Sequence, residues 1–170
     1  FCIKPFNALT AAKNSLHLLG SEIAKDYNIN FIWTRLSNSY GPGRHEASLI
    51  PYLIKSVQSN KKIEIRDPSA QNDFIYVEDV AEAISQLLLK YKKSGVFNIG
   101  SGKLISVRDI IKKIFKILNV KQGYKITNHK QIDSFSYAYA DISRIKEATG
   151  WKPQISIDEG IKRTIDYFSL

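Results

Sequence analysis

Cysteine is almost absent from this sequence, with Cys2 the single example in 170 residues. One thiol cannot close an internal disulfide, so the chain is no disulfide-stapled secreted scaffold, and a reducing compartment, the cytoplasm, is the expected location. Long apolar runs are missing too. None approaches the ~20 residues that a membrane-spanning helix needs, and no signal-peptide pattern is visible. The three histidines, His17, His45 and His129, show no ligand spacing, and without cysteine pairs no zinc site can be argued. No nucleophile stands beside a base, so acyl-transfer chemistry has no support. Also lacking is a strand followed by a three-glycine turn and a helix, the arrangement that holds the pyrophosphate of a dinucleotide. There is no internal repeat, low-complexity tract or linker.

What is present fits a globular protein. Hydrophobic residues make up 44% and charged residues 24%, and the length suffices for one compact domain without a second ordinary one. The formal charge of +9 raises the question of nucleic acid, because lysine-rich surfaces bind phosphate backbones by releasing counterions. The lysines are scattered, however, with short clusters at Lys61-Lys62, Lys92-Lys93 and Lys112-Lys113, and no nucleic-acid module is recognisable. A solvated basic surface, favourable to an anionic substrate, is the simpler expectation.

Hydrophobic periodicity predicts alternating elements. Leu9, Ala12, Leu16, Leu19, Ile23 and Tyr27 recur every three or four residues and predict a helix over 7–27 with one apolar face, closed by Asn28. Phe31-Ile32-Trp33-Thr34-Arg35 follows as a buried strand. A second helix gathers Leu49, Ile50, Leu53, Ile54 and Val57, with Pro51 tolerable only in its first turn. Short strands are expected at 63–65, 74–77, 96–99 and around 124–126. Glu78 and Asp79 are expected to cap a helix that turns Val80, Ala83, Ile84, Leu87 and Leu88 inward. Ser106 with Asp109 opens an amphipathic helix through Val107, Ile110, Ile111, Ile114 and Leu118. Asp141 caps a short helix stopped at Gly150, and Ser156 with Glu159 opens a last one through Ile161, Ile165 and Phe168. The alternation is an α/β pattern.

The stretch Arg35-Leu36-Ser37-Asn38-Ser39-Tyr40-Gly41-Pro42-Gly43 is the focus of the chain. It leaves a strand candidate, turns polar at Ser-Asn-Ser and ends in a Gly-Pro-Gly turn, and α/β sheets place ligands just outside the carboxyl ends of their strands. Ala11-Ala12-Lys13 stands upstream. Downstream come Gln71-Asn72-Asp73-Phe74-Ile75-Tyr76-Val77-Glu78-Asp79-Val80-Ala81, then Asn98-Ile99-Gly100-Ser101-Gly102, then Gly150-Trp151-Lys152-Pro153 before a helix. In this order, over essentially the whole chain, these motifs resemble the C-terminal half of an extended short-chain dehydrogenase/reductase, the family of nucleotide-sugar epimerases, dehydratases and reductases.

The resemblance implies the C-terminal part of a Rossmann-like doubly wound α/β fold with a smaller substrate-binding region and without the N-terminal cofactor half. Residues 1–170 would then be a single partial domain. Residues 1–40 would end the Rossmann-like core with its catalytic-lysine helix, 41–170 would mainly bind substrate, and 74–99 would return to the sheet. It further implies NAD- or NADP-dependent hydride transfer on a nucleoside-diphosphate sugar in the intact enzyme, with no tight cofactor binding by these residues alone. A homodimer through the 7–27 helix and a neighbour is expected, and nucleic acid and membranes are not expected partners. The competing reading is a non-catalytic binding or assembly module derived from this family.

Carried over by the resemblance, Lys13 is the active-site lysine, hydrogen-bonding the nicotinamide ribose and lowering the pKa of a catalytic tyrosine. By itself it would be an ordinary solvated helix lysine. The tyrosine belongs four residues earlier, where Leu9 stands. Either Leu9 replaces it or one residue is lost between Leu9 and Thr10. Asn38 matches an asparagine that contacts the nucleotide-sugar, able both to donate and to accept. Asn72 stands where many members carry an arginine suited to a diphosphate, and Arg66 or Lys130 is the candidate to supply that charge. Asp73 is expected to orient a loop, and Gly100-Ser101-Gly102 to be a tight turn.

Overall fold

The computed structural model describes residues 8–121, 123–127 and 138–169. Helix and strand alternate as the hydrophobic periods require. Helix α1 (Ala8–Asp26) leads into β1 (Ile32–Leu36) and β2 (Asn38–Tyr40), followed by α2 (Leu49–Gln58), β3 (Ile63–Ile65), β4 (Gln71–Asn72), β5 (Phe74–Tyr76) and α3 (Val77–Lys90). Then come β6 (Gly95–Ile99), β7 (Ile105–Ser106), α4 (Val107–Ile117), β8 (Tyr124–Ile126), α5 (Ser143–Thr149) and α6 (Ile157–Phe168). The serine caps form as expected: Ser106 Oγ accepts from Asp109 N–H at 3.1 Å and Ser156 Oγ from Glu159 N–H at 3.2 Å. Each satisfies a helix-start donor that would otherwise lack a partner. Asp141 accepts from Ser143 N–H at 2.9 Å just ahead of α5, and Gly150 ends that helix in the left-handed region at φ 78°.

Among the described residues the strands pair two by two. β1–β6, β2–β5 and β3–β8 are parallel, and β4–β7 is antiparallel. The chain changes partner within one residue: Ser37 N–H donates to the Ile99 carbonyl at 2.9 Å, and Asn38 N–H to the Asp73 carbonyl at 3.0 Å. Ser37-Asn38-Ser39 is therefore not the loop expected from its polar composition. Asn38 to Tyr40 continue as a second strand, because β5 offers a backbone edge in register with them.

Two apolar clusters result. One collects Ile50, Leu53, Ile54, Ile63, Tyr76, Ile110, Ile111, Ile114 and Ile161, and the other Ile75, Val80, Ala83, Leu87, Phe97, Ile99, Ile145 and Trp151. Each fully buried aliphatic side chain contributes roughly 1.5–3 kcal/mol of transfer free energy. Strand β5 belongs to both. Successive strand residues point to opposite faces, so Ile75 enters one cluster while Tyr76 and its neighbour Phe74 pack in the other.

One inward-facing expectation is corrected. Ile84 and Leu88 of α3 are exposed, whereas Val80, Ala83 and Leu87 are buried, because α3 packs on α5 and β5 through that narrower stripe. In α1 the apolar stripe Leu9, Leu16, Leu19, Ile23 and Tyr27 is also exposed. The helix meets β1 through its other face: His17 stacks on Trp33 at 4.9 Å, and Gly20 lies so close to the Phe31 ring that a Cβ there would approach to 2.7 Å. No helix among the described residues is long and apolar enough to cross a membrane.

Candidate functional site

Beside the point where β1 hands over to β2, Asp73 offers its backbone carbonyl to Asn38 N–H and its carboxylate to the turn after β6. Asp73 is 1% exposed. Its Oδ1 accepts from Ser101 N–H at 2.7 Å and the Ser101 hydroxyl at 2.6 Å, and its Oδ2 accepts from Gly102 N–H and Ala140 N–H, both at 3.0 Å. A carboxylate has about four acceptor positions, and all are filled. The loop-orienting role expected of Asp73 is thus concrete: it gathers the turn that follows β6 and residue 140 around one buried anion. The packing is tight, since a Cβ on Gly100 would come within 2.6 Å of Asp73 Oδ2 and of Ala140 Cβ. The Ser37 hydroxyl is buried nearby without a hydrogen-bond partner among the described residues. In the turn Gly100-Ser101-Gly102, the Ser101 and Gly102 amides, which a ligand phosphate would need, are bonded instead to Asp73. The turn is structural.

On the solvent side of this junction the sequence-predicted Asn38 and Asn72 meet. Asn38 Nδ2 donates to Asn72 Oδ1 at 3.2 Å. Together they line a cavity of about 250 Å³ with Arg44, Ser48, Pro51 and Phe74. Arg44 Nε donates to Ser48 Oγ at 3.2 Å, and Ser48, which precedes α2, makes no side-chain capping bond to that helix. Sequence reasoning passed over Arg44. The available signal was a cation directly after the Gly-Pro-Gly turn, but its approach to Asn72 depends on a strand pairing that composition does not show.

Arg66 lies elsewhere, lining a cavity of about 440 Å³ with Glu64, Asp67 and Tyr52. Asp67 is a firm anion there, because hydrogen bonds from the Ser69 hydroxyl and amide hold its carboxyl below the usual range. Lys130, like Cys2 and His129, falls outside the described residues. Lys13 is exposed on α1, and Leu9, one turn earlier, is 65% exposed.

No replacement for the expected tyrosine comes from Tyr40 or Tyr76. Burial pushes the Tyr40 phenol up, with Tyr76, Asp79 and Asp158 adding to it. Tyr76 is raised by burial and then by Glu78. A group that exchanges protons near neutrality needs a shift in the opposite direction. Asp79, expected as a helix cap, has another role: within the first turn of α3 its carboxylate accepts Gln154 N–H at 2.9 Å and Ile155 N–H at 3.0 Å. Those two amides belong to an irregular segment with no ladder of its own, so the buried carboxylate serves them instead. No group of three metal-ligating side chains exists among the described residues.

A profile of the family described as GDP-mannose 4,6 dehydratase matches residues 2–164. A UDP-glucuronate 4-epimerase of Thermodesulfobacterium geofontis is 32% identical over 168 residues, which cover 96% of this chain and 50% of that protein. Among solved structures, the dTDP-glucose 4,6-dehydratase of Bacillus anthracis in complex with NAD matches with a TM-score of 0.88 and 22% identity, over 98% of this chain and 53% of that one. The UDP-glucose 4-epimerase of Thermotoga maritima with UDP-glucose gives a TM-score of 0.86 and 26% identity, over 94% and 52%. The α/β fold is shared with these enzymes, and the chain spans about half the length of each.

Proposed function

Since the chain belongs to the GDP-mannose 4,6 dehydratase family, we propose that it is the C-terminal, substrate-binding part of a nucleoside-diphosphate-sugar epimerase, dehydratase or 4-keto-reductase. Residues 1–40 then close the nucleotide-binding core, and 41–170 mainly hold the sugar nucleotide. The observation that carries this reading is the Asn38–Asn72 amide pair, set beside a guanidinium in a cavity at the carboxyl end of β1. Strand ends where partners change are where α/β folds bind ligands. Amides offer donor and acceptor to sugar hydroxyls and phosphates alike.

NAD or NADP is the proposed cofactor of the intact enzyme, where it would take up and return hydride. The described residues do not fit the pyrophosphate of that group, because the Ser101 and Gly102 amides of the glycine turn are held by Asp73. Tight binding of NAD by these residues is therefore not expected. Lys13 is the proposed active-site lysine. Leu9 in place of the tyrosine supports a second reading, a binding or assembly module without turnover of its own. The exposed apolar stripe of α1 supports a homodimer through that helix.

Calorimetric titration with UDP-glucose, dTDP-glucose, GDP-mannose, NAD and NADP tests the proposal. One of the sugar nucleotides is expected to bind, and the dinucleotides only weakly. Binding of none of the sugar nucleotides would overturn it.

A further inference from the structure

Resting on the sugar-nucleotide reading above, we infer that Arg44, which lines the same cavity as Asn38 and Asn72, supplies the cation for the diphosphate, the role for which position 72 carries no charge. Asn72 cannot provide a positive charge, yet a diphosphate brought out of water needs charge-assisted donors. Among the described residues, Arg44 is the only charged side chain lining the cavity that contains Asn38 and Asn72.

The state of its guanidinium suits the task. Nε is engaged with Ser48 Oγ at 3.2 Å, which orients the planar fork. The two terminal amino groups pair with no carboxylate among the described residues. The nearest sequence candidate, Glu46, is bonded to Lys55, which draws its carboxyl below the usual range and leaves it engaged away from Arg44. A fork of paired N–H donors matches two phosphate oxygens in a way that an ammonium does not. In the same cavity the Asn38 amino group donates to Asn72 Oδ1, and the Asn72 amino group is left as a further donor of the pair.

Arg66 is the weaker candidate on the same grounds. It shares its cavity with Glu64 and Asp67, so an incoming anion there meets two carboxylates for one guanidinium. The geometry assigns Arg66 to a mixed-charge surface, with the diphosphate next to Arg44.

The experiment compares nucleoside diphosphates with their monophosphates, because a cation on the β-phosphate changes that ratio. The protein is titrated calorimetrically with UDP, dTDP and GDP and with UMP, dTMP and GMP, in the wild type and in Arg44→Gln, Arg66→Gln and Arg44→Gln/Asn72→Arg. Arg44→Gln is expected to weaken the preferred diphosphate about tenfold or more, with a much smaller change for the monophosphate. Arg66→Gln should leave the diphosphate-to-monophosphate ratio near that of the wild type, and Asn72→Arg should restore it in the Arg44→Gln background. Arg44 is exposed, so equal melting temperatures are expected, and any loss of folding would be seen there. Wild-type binding with an unchanged ratio in Arg44→Gln would overturn the role of Arg44 alone and leave the sugar-nucleotide reading standing. No nucleotide binding by the wild type would overturn both.

Discussion

At Asp73 one side chain does work that no exposed residue of the site could do. Its two oxygens accept four hydrogen bonds, from three backbone amides in two separate segments and from one hydroxyl. Asp73→Asn converts one acceptor into an amino group facing N–H donors that have no other partner, and is expected to cost about 1–3 kcal/mol, read as a lower urea midpoint with an unchanged slope. Tyr40 gives a pH-dependent prediction. Its phenol is raised in the folded protein by burial first of all, so the unfolded chain releases this proton at lower pH than the folded one. Its contribution to stability is fully present below the ordinary tyrosine pKa of about 10 and is lost as pH rises above it. The only hydrogen bond of the Tyr40 hydroxyl to a described residue is a long one, to the Ile157 carbonyl at 3.5 Å. Tyr40→Phe should therefore fold and show a shallower fall of stability above pH 10, measured by denaturant titration across pH. Asn38, Asn72 and Asp73 were legible as residues of interest from their motifs. Arg44 and the four bonds of Asp73 were not, because each depends on segments tens of residues apart.

Elements with a strong period were legible in the sequence and short ones were not. In α4 the positions Val107, Ile110, Ile111 and Ile114 repeat on one helical face, and all four are buried. The Ser106 cap ahead of them was visible as a local signal. Ser106→Ala should cost about 1 kcal/mol, seen as a reduced melting temperature. Strands β2, β4 and β7 are two or three residues long and rich in Asn, Ser and Gln. Nothing in their composition announces a strand, and they exist because a partner backbone lies alongside. Helix α1 shows the opposite limit. Its period was correctly read, but period alone does not say which face meets the rest of the protein, and here it is the polar side carrying His17 and Gly20. The stripe left exposed, with Leu16 60% and Leu19 58% exposed, sets an assembly prediction. Sedimentation of the wild type should show a dimer, and Leu16→Glu/Leu19→Glu should shift it to monomer while leaving the circular dichroism spectrum unchanged. A wild type that stays monomeric over a wide concentration range would contradict the proposed interface.

For the molecule as a whole, two apolar clusters share the three-residue strand β5, and the candidate cavity opens beside that strand, at Phe74. This geometry explains why the binding residues come from both sides of the junction. Asn38 begins β2, Asn72 ends β4, and Arg44 comes from the connection to α2. The α/β class and the family resemblance were legible because the motifs keep their order along the chain. The partner switch between Ser37 and Asn38 was not, since it is a property of four strands together. The central claim is that a sugar nucleotide occupies this cavity while the glycine turn at 100–102 is closed to a dinucleotide. The most direct measurement is an amide-resolved NMR titration with UDP-glucose and, separately, with NAD. The account predicts UDP-glucose shifts concentrated at residues 38–50 and 71–74, and no saturable shifts with NAD. Saturable NAD shifts centred on Gly100, Ser101 and Gly102, with none at Asn38 or Asn72 on adding UDP-glucose, would contradict it.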